Sequence, residues 1–206
     1  VLELLVRAKF NIFICGGTGS GKTTFLNAMS NYIPKDERVI TIEDSAELQM
    51  KWIPNLIRLE TRNSNGSGSE EITIRDLIRT ALRMRPDRII VGEVRGAEAL
   101  DMLQSFNTGH DGSLSTGHAN SCEDMLSRLE TMTLMAMELP VEAIRRQIAS
   151  GIDILIHLGR MRDKSRKLLR ICEITGMRRG RICLNTLYRF EEAEEREGKI
   201  YGVWKK

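Results

Sequence analysis

A glycine-rich turn between an apolar run and an amphipathic segment constrains this chain more than any other feature. Ile12 to Cys15 are apolar, the turn spans Gly16 to Gly21, and Lys22 opens a segment that continues to Met29. This order predicts a strand, a loop and a helix with the spacing G-x-x-x-x-G-K-T. Glycines let successive backbone N–H groups turn inward around phosphate oxygens, and a helix start adds its positive dipole end. The stretch therefore predicts a phosphate-binding loop, which we call the P-loop (Gly16 to Thr24).

The P-loop pattern also assigns roles to individual side chains. Lys22 would supply a positive charge to the β- and γ-phosphates, and the Thr23 hydroxyl would ligate Mg²⁺. The predicted nucleotide-binding residues are Gly17, Thr18, Gly19, Ser20, Gly21, Lys22, Thr23 and Thr24.

Composition excludes several classes of protein. The chain has 206 residues, 41% of them hydrophobic and 29% charged, which is typical of a soluble globular domain. A net charge of +3 does not by itself predict a nucleic-acid partner. The sequence has no apolar run of about 18 residues, no leader pattern and no zinc-type C-x-x-C spacing, so we expect a cytoplasmic protein with four reduced cysteines. Because the chain starts at Val1, we also expect an N-terminal domain to precede it.

Two predicted strands end in acidic residues. The run from Arg38 to Ile42 leads into Glu43 and Asp44, and the run from Arg88 leads into Glu93. Ligands of open α/β sheets lie at the carboxyl ends of the strands, where such acids handle Mg²⁺ or an attacking water. The alternative for the first strand is that Asp44 or Ser45 acts as an N-cap of a short turn.

Other segments leave alternatives open. A helix is predicted from Thr73, its N-cap, to Arg85, and its arginines at positions 75, 79 and 83 form either a solvated basic face or a subunit interface. Asn63 to Ser69 predicts a flexible loop. Polar residues between Ser113 and Ser121 would reach a γ-phosphate, whereas His157 lies in an apolar run and is interpreted as a packed histidine.

The last quarter of the chain is basic and β-rich. Two runs between Leu168 and Phe190 predict antiparallel strands within a basic stretch, Arg160 to Arg181. This stretch would bind nucleic acid or form a solvated or protein-docking surface, and the lack of interleaved aromatics favours the second. Glu191 to Glu197 is predicted as a helix or turn, and the segment from Gly198 to Lys206 as a last strand. The fold class is therefore α/β, with a mostly parallel central sheet flanked by helices, a core over 1–150 and an antiparallel β extension over 151–206 of the same domain.

Four patterns occur in one order: GGTGSGKTT, VITIEDSAEL, RIIVGEVRGAEALDMLQSFNTGHDGS and STGHANS. Together they resemble the secretion-ATPase superfamily of type II and type IV secretion and type IV pilus machines, and most closely the CpaF-type assembly ATPases of Flp/Tad pili. The resemblance covers nearly the whole chain. It implies a RecA-like fold, ATP and Mg²⁺ as ligands, and a hexameric ring closed over the nucleotide by the N-terminal domain.

The resemblance also implies site residues. Glu43 matches the acid that orients or deprotonates the lytic water, and Glu93 matches the Walker B acid that acts on Mg²⁺. His110 and His118 match the His box, with His118 expected near the γ-phosphate. The candidates for stabilising the transferring phosphate, in cis or across a subunit boundary, are Arg58, Arg62 and Arg85.

The predicted function is an ATP-hydrolysing motor that powers pilus assembly or protein secretion across a cell envelope. It would act as a homo-hexamer at the inner face of the membrane, with an inner-membrane platform protein as partner and no nucleic acid. Two alternatives stay open, a RecA-like nucleic-acid motor and a nucleotide-dependent structural adaptor.

Overall fold

One nine-stranded sheet carries the fold in the computed structural model, which describes residues 1–64 and 70–206. Within these ranges the strands are β1 (Ile12–Gly16), β2 (Arg38–Glu43), β3 (Asn55–Glu60), β4 (Arg88–Val94), β5 (Leu114–Gly117), β6 (Ile154–Arg160), β7 (Arg166–Arg178), β8 (Arg181–Arg196) and β9 (Lys199–Lys205). The helices are α1 (Leu2–Arg7), α2 (Lys22–Ser30), α3 (Ile74–Ala81), α4 (Glu98–Phe106), α5 (Cys122–Ala136) and α6 (Val141–Gly151), with a 3₁₀ turn at Leu82–Met84.

The sheet has a parallel part and an antiparallel part. Its strand order is β3-β2-β4-β5-β1-β6-β7-β8-β9, and the first six strands of that order are parallel. The strand before the P-loop, β1, lies between β5 and β6. The carboxyl ends of β1, β2, β4 and β5 therefore share one side of the sheet, which we call the carboxyl edge. This mixed α/β architecture confirms the predicted fold class.

Both faces of the parallel part are covered by helices. Along β1, Phe13 and Cys15 pack with α3, α4, α5 and α6, whereas Ile12 and Ile14 pack on the other face with α1 and α2. All five residues of β1 are buried. A strand that is covered on both faces needs a continuous apolar run, which is what precedes the P-loop. In the described parts of the chain, no helix combines the length and the apolarity that crossing a bilayer requires.

The acidic segment Glu191 to Glu197 was wrongly predicted as a helix or turn. In the structure β8 continues through this segment to Arg196 and pairs with β9, the strand that the sequence predicted at the end of the chain. Its charges are neutralised across strands, because Lys205 contacts Glu191 at 2.6 Å and Arg162 pairs with Glu192 and Glu195. Local charge density favoured a solvated helix, and cross-strand pairing overrides it.

The predicted helix from Thr73 is α3, with one difference at its end. Thr73 and Asp76 form the expected capping box, but the α-helix ends at Ala81 and the 3₁₀ turn leads to Arg85, whose φ is 52°. Arg75 and Arg79 both contact the buried Asp101 of α4, at 2.6 and 3.0 Å. Neither predicted alternative included this pairing within the chain. Most of the predicted loop between Asn63 and Ser69 lies outside the described residues.

The opposite, amino edge of the sheet contains a fully buried arginine. Arg88, the first residue of β4, pairs with the buried Glu37 and donates from Nη1 to the Gly112 carbonyl at 3.0 Å. A Cβ at Gly112 would collide with this guanidinium, and the φ of Gly112 is +85°. The pair joins the segments that precede β2, β4 and β5, so it sets where these three strands begin.

We predict that Glu37→Gln lowers the free energy of unfolding by about 3–5 kcal/mol, because it leaves the Arg88 charge buried without its counterion. Urea denaturation measures the loss. The matched control is Glu142→Gln, which breaks an exposed pair with Arg146 and should cost less than about 1 kcal/mol. Equal losses in the two variants would contradict a structural role for the buried pair.

Candidate active site

The P-loop has a backbone that its glycines make possible. Gly16 ends β1 where a Cβ would collide with the Leu158 carbonyl and lie 2.5 Å from Ser20 Oγ. Gly19 and Gly21 have φ values of +73° and +94°, in the left-handed region. Gly21 is also the N-cap of α2 and provides no side-chain cap, so no side chain occupies the N–H groups of the first turn. Loop and helix start together form an anion-binding geometry.

Lys22 is the buried cation of this loop. Its residue is 8% exposed, and its Nζ donates to the Gly16 and Gly17 carbonyls at 3.1 and 3.4 Å. The same nitrogen lies 3.4 Å from Nδ1 of His118. Burial lowers the pKa of the Lys22 ammonium, and the Glu93 carboxylate opposes this shift.

A cleft of about 450 Å³ opens in front of the P-loop at the carboxyl edge. It brings together five residues that the sequence assigned to chemistry: Lys22, Thr23, Glu43, Glu93 and His118. The other lining residues are Thr18, Gly19, Asp44, Ser45, Glu47, Leu48, Gly92, Arg95 and Thr116. Four further residues of the predicted nucleotide-binding set belong to the loop or to the first turn of α2 without lining the cleft: Gly17, Ser20, Gly21 and Thr24.

Glu43 is a buried carboxylate at the end of β2, and its residue is 5% exposed. Its Oε1 accepts from the backbone N–H groups of Glu47 and Leu48 at 3.0 and 2.9 Å. In the described part of the chain no group donates a hydrogen bond to its other oxygen, Oε2. A Cβ at Gly92 would lie 3.0 Å from Glu43 Cγ, so glycine at that position makes room for the acid. Burial raises the pKa of Glu43, and the two backbone hydrogen bonds oppose the shift.

The alternative role for Asp44, an N-cap, is not what the structure has. The segment after β2 contains no helix, and Glu43 itself accepts the hydrogen bonds of the turn. The Asp44 carboxylate lies 3.4 Å from Thr61 Oγ1 and 3.8 Å from Arg95.

Glu93 links His118 to Arg95 across the cleft. Glu93 Oε2 accepts from Arg95 Nε at 2.7 Å, and Glu93 Oε1 lies 2.7 Å from His118 Nε2. The second contact has the distance of an ion pair but not the geometry of a hydrogen bond, which leaves Oε1 buried without a hydrogen-bond donor. Burial and the neighbouring Lys22 lower the pKa of His118, so its neutral ring can accept a hydrogen bond from Lys22 at Nδ1 while Nε2 lies beside Glu93.

Arg95 is a charged cleft residue that the sequence did not predict. It follows Glu93 by two positions, just after the end of β4 at Val94. Its position in the sequence could have identified it, because a cation two residues after a strand-end acid lies at the same edge of the sheet as that acid. The β4–β5 register shifts between Val91 and Val94, which is where Glu93 lies.

Several other predicted residues lie outside the cleft. Arg58 is exposed on β3, where its charge opposes the raised pKa of Glu43 without reaching the cleft lining. Arg62 donates to the Glu70 carbonyl at 3.2 Å. His110 contacts the Ser105 carbonyl at 3.3 Å at the amino edge, where Arg85 precedes β4. His157 is half-buried on β6, and burial lowers its pKa.

The donor set fits a nucleoside triphosphate with Mg²⁺. The first-turn amides and Lys22 are donors, and the buried Ser20 Oγ has no hydrogen-bond partner in the described part of the chain. Thr23 Oγ1 lies 3.4 Å from Glu47 Oε2, so hydroxyl and carboxylate oxygens of the type that Mg²⁺ prefers are present. No group of three or more metal-type side chains occurs within residues 1–64 and 70–206. Such a site holds Mg²⁺ partly through phosphate oxygens.

Comparison with known proteins identifies related chains. The profile of the family described as "Type II/IV secretion system protein" matches residues 1–196. A putative conjugal transfer protein of Mycobacterium tuberculosis is 44% identical over 167 residues, which are 81% of this chain and 47% of that protein. The type IV secretion system protein VirB11 of Brucella suis is 40% identical over 161 residues, which are 76% of this chain and 45% of VirB11.

Solved structures give the same relationship. The Brucella suis VirB11 ATPase, in complex with sulphate, has a TM-score of 0.76 and 36% identity, covering 84% of this chain and 50% of that chain. The pilus retraction motor PilT with bound ADP has a TM-score of 0.62 and 27% identity, covering 90% and 48%. The chain spans about half the length of the relatives that it matches.

We predict that Glu43→Gln stabilises the fold at neutral pH. The folded-state pKa of Glu43 is raised, so the folded protein loses stability as pH rises through that value, and an uncharged amide avoids this loss. The amide oxygen still accepts from the two backbone N–H groups. Thermal melting should therefore show the variant above wild type at pH 7, with the gap closing towards pH 4, and a variant that is less stable at pH 7 would contradict the burial argument.

Proposed function

Because this chain belongs to the family of type II/IV secretion system proteins, we propose that it is the Mg²⁺-dependent ATPase domain of a motor for secretion or pilus assembly. One observation carries the proposal: Lys22, Glu43, Glu93 and His118 converge on a single cleft at the mouth of the P-loop. A site that only held a nucleotide would not need a buried carboxylate, Glu43, in its lining.

The proposed mechanism is in-line attack of water on the γ-phosphate: the new P–O bond forms as the bond to the bridging β-phosphate oxygen breaks, and ADP leaves with the bridging oxygen. P-loop amides and Lys22 hold the phosphates, and Thr23 and Glu93 would hold the metal. Bound Mg²⁺ supplies charge neutralisation to the phosphate oxygens. Glu43 orients and deprotonates the water, because its raised pKa makes it a better base than an ordinary glutamate.

Two residues complete this cleft in the proposal. His118 contacts the γ-phosphate from the side of β5. Through its contact with Glu93, it couples the presence of that phosphate to the position of the Glu93 carboxylate. Arg95 holds the Glu93 carboxylate through its 2.7 Å hydrogen bond. Arg58 and Arg62 are proposed to stabilise transferring phosphate across a subunit boundary, since both are exposed and neither lines this chain's own cleft.

The proposed assembly is a homo-hexamer at the inner face of a cell membrane, with an inner-membrane platform protein as its partner. Residues 1–150 form the RecA-like core and 151–206 continue the same domain. We further propose a CpaF-type role in a Flp/Tad pilus. This rests on the four sequence patterns taken together and on the run LETRNSNGSGSEEITIRDLIRTALRMRPDRIIVGEVRG. An exposed apolar stretch at the end of α5, containing Leu134, Met135 and Met137, is consistent with a subunit contact.

A nucleic-acid motor is the less supported alternative. Three arginines of the basic stretch are already used within the chain: Arg162 pairs with Glu192 and Glu195, Arg166 donates to Gly19, and Arg170 contacts Glu123 at 2.6 Å. Arg162 and Arg170 are paired with carboxylates, which neutralises part of the charge that would attract a phosphate backbone.

We predict that Lys22→Ala in the full-length protein lowers ATP turnover at least about 100-fold, because it removes the charge that stabilises the transferring phosphate. Phosphate release measures turnover. Lys35→Ala, which alters an exposed lysine outside the cleft, is the control and should match wild type. Robust turnover by Lys22→Ala would eliminate the proposed site.

We predict that Glu93→Gln binds ATP within about threefold of wild type but turns it over about 100-fold more slowly, since the amide keeps the shape and loses the charge. Binding of a fluorescent ATP analogue and phosphate release separate the two effects. Wild-type turnover would show that Glu93 has no part in the chemistry. Turnover by neither protein, with intact binding, would instead favour the structural adaptor.

A further inference from the structure

The turn between β6 and β7 lies against the P-loop from outside the cleft. Arg166, the first residue of β7, donates from Nε to the Gly19 carbonyl at 2.9 Å. A Cβ at Gly21 would lie 3.1 Å from Arg166 Cδ, and a Cβ at Gly19 would lie 3.9 Å from Arg160 Nη1. Neither arginine lines the cleft. The contact is therefore made to the back of the loop, through a carbonyl and not through the amides that face a phosphate.

We propose that Arg166 is a positioning residue that braces the P-loop for nucleotide binding. The Gly19 carbonyl and the Ser20 N–H belong to one planar peptide unit and point in opposite directions. Arg166 holds the carbonyl end, and the N–H end is directed into the loop, 3.2 Å from the Gly17 carbonyl. The brace fixes the orientation of this peptide unit before any ligand arrives.

A brace matters here because the loop has little stiffness of its own. Gly19 and Gly21 both adopt positive φ values, and glycines lose more conformational freedom on ordering than other residues. A ligand that had to order this segment would bind more weakly. One hydrogen bond from outside the cleft reduces that loss without occupying a phosphate position.

The brace is itself anchored to the antiparallel extension. Asp163 Oδ1 accepts from Ser165 N and Ser165 Oγ at 2.9 and 2.6 Å, and its Oδ2 accepts from Ile200 N of β9 at 2.9 Å. The hydrogen bonds from Ser165 and Ile200 lower the pKa of Asp163 to about 2. Arg162 of the same turn contacts Glu195 of β8 at 2.9 Å. The extension thus positions the P-loop through Arg166.

The inference rests on the proposed nucleotide site. Its test distinguishes the effect of the Arg166 Nε–H donor from the effect of the Arg166 charge. In Arg166→Gln the amide nitrogen can occupy the place of Nε and keep the donor, whereas Arg166→Met keeps the length of the stem without a donor. With a fluorescent ATP analogue and Mg²⁺ as the probe, we expect Arg166→Met to raise the Kd by roughly three- to tenfold, the range for one net hydrogen bond. Arg166→Gln should stay within about twofold of wild type.

Two further measurements keep the test decisive. Arg166 is exposed, so melting temperatures without nucleotide should be equal, and amide exchange at Ser20 and Gly21 should be faster in Arg166→Met. Arg178→Met, at the far end of the same strand, is the matched control and should bind like wild type.

Three outcomes overturn the inference. Equal Kd values in all Arg166 variants, with wild-type binding intact, refute it alone. Equal weakening by Gln and Met assigns the effect to the charge and refutes bracing by the Nε–H donor. A wild-type protein that binds no nucleotide refutes the proposed function and the inference together.

Discussion

The buried ammonium of Lys22 is the constraint on which the cleft depends. A buried charge is stable only with hydrogen-bond partners, and Lys22 finds them in two P-loop carbonyls and the ring of His118. His118 follows β5, so this third partner reaches the cation because β1 and β5 are parallel neighbours. The same topology brings Glu43 at the end of β2 and Glu93 near the end of β4 to the carboxyl edge. The cleft therefore contains one buried cation and the two carboxylates beside it.

The sequence predicted the parts of the site that depend on local spacing. The P-loop motif, the strand-end acids Glu43 and Glu93, and His118 lie in short segments, and the parallel topology brings those segments to one edge. It did not predict Arg166, whose partner Gly19 is 147 residues away in sequence. No periodicity or motif reports a contact of that separation, because it depends on how the strands are ordered in the sheet.

Charge was the other source of difference between prediction and structure. Arg75 and Arg79 were assigned to solvent or to another subunit, and they pair with the buried Asp101. The acidic segment at the end of β8 was predicted to be helical or a turn, and it is a strand because Arg162 and Lys205 neutralise it. In both places the oppositely charged partner lies on a different element. A charge pattern taken along one segment contains no sign of that partner, so it predicts that the charges face solvent.

The central claim is that the phosphates of ATP take over the Lys22 ammonium. A crystal structure of the protein with a non-hydrolysable ATP analogue and Mg²⁺ tests it most directly. We predict that Lys22 Nζ leaves the Gly16 and Gly17 carbonyls for the β- and γ-phosphates, with Thr23 at the metal and Glu43 Oε2 facing the γ-phosphate. A nucleotide bound elsewhere, or a Lys22 that keeps its carbonyl partners beside a bound nucleotide, would contradict this role of Lys22.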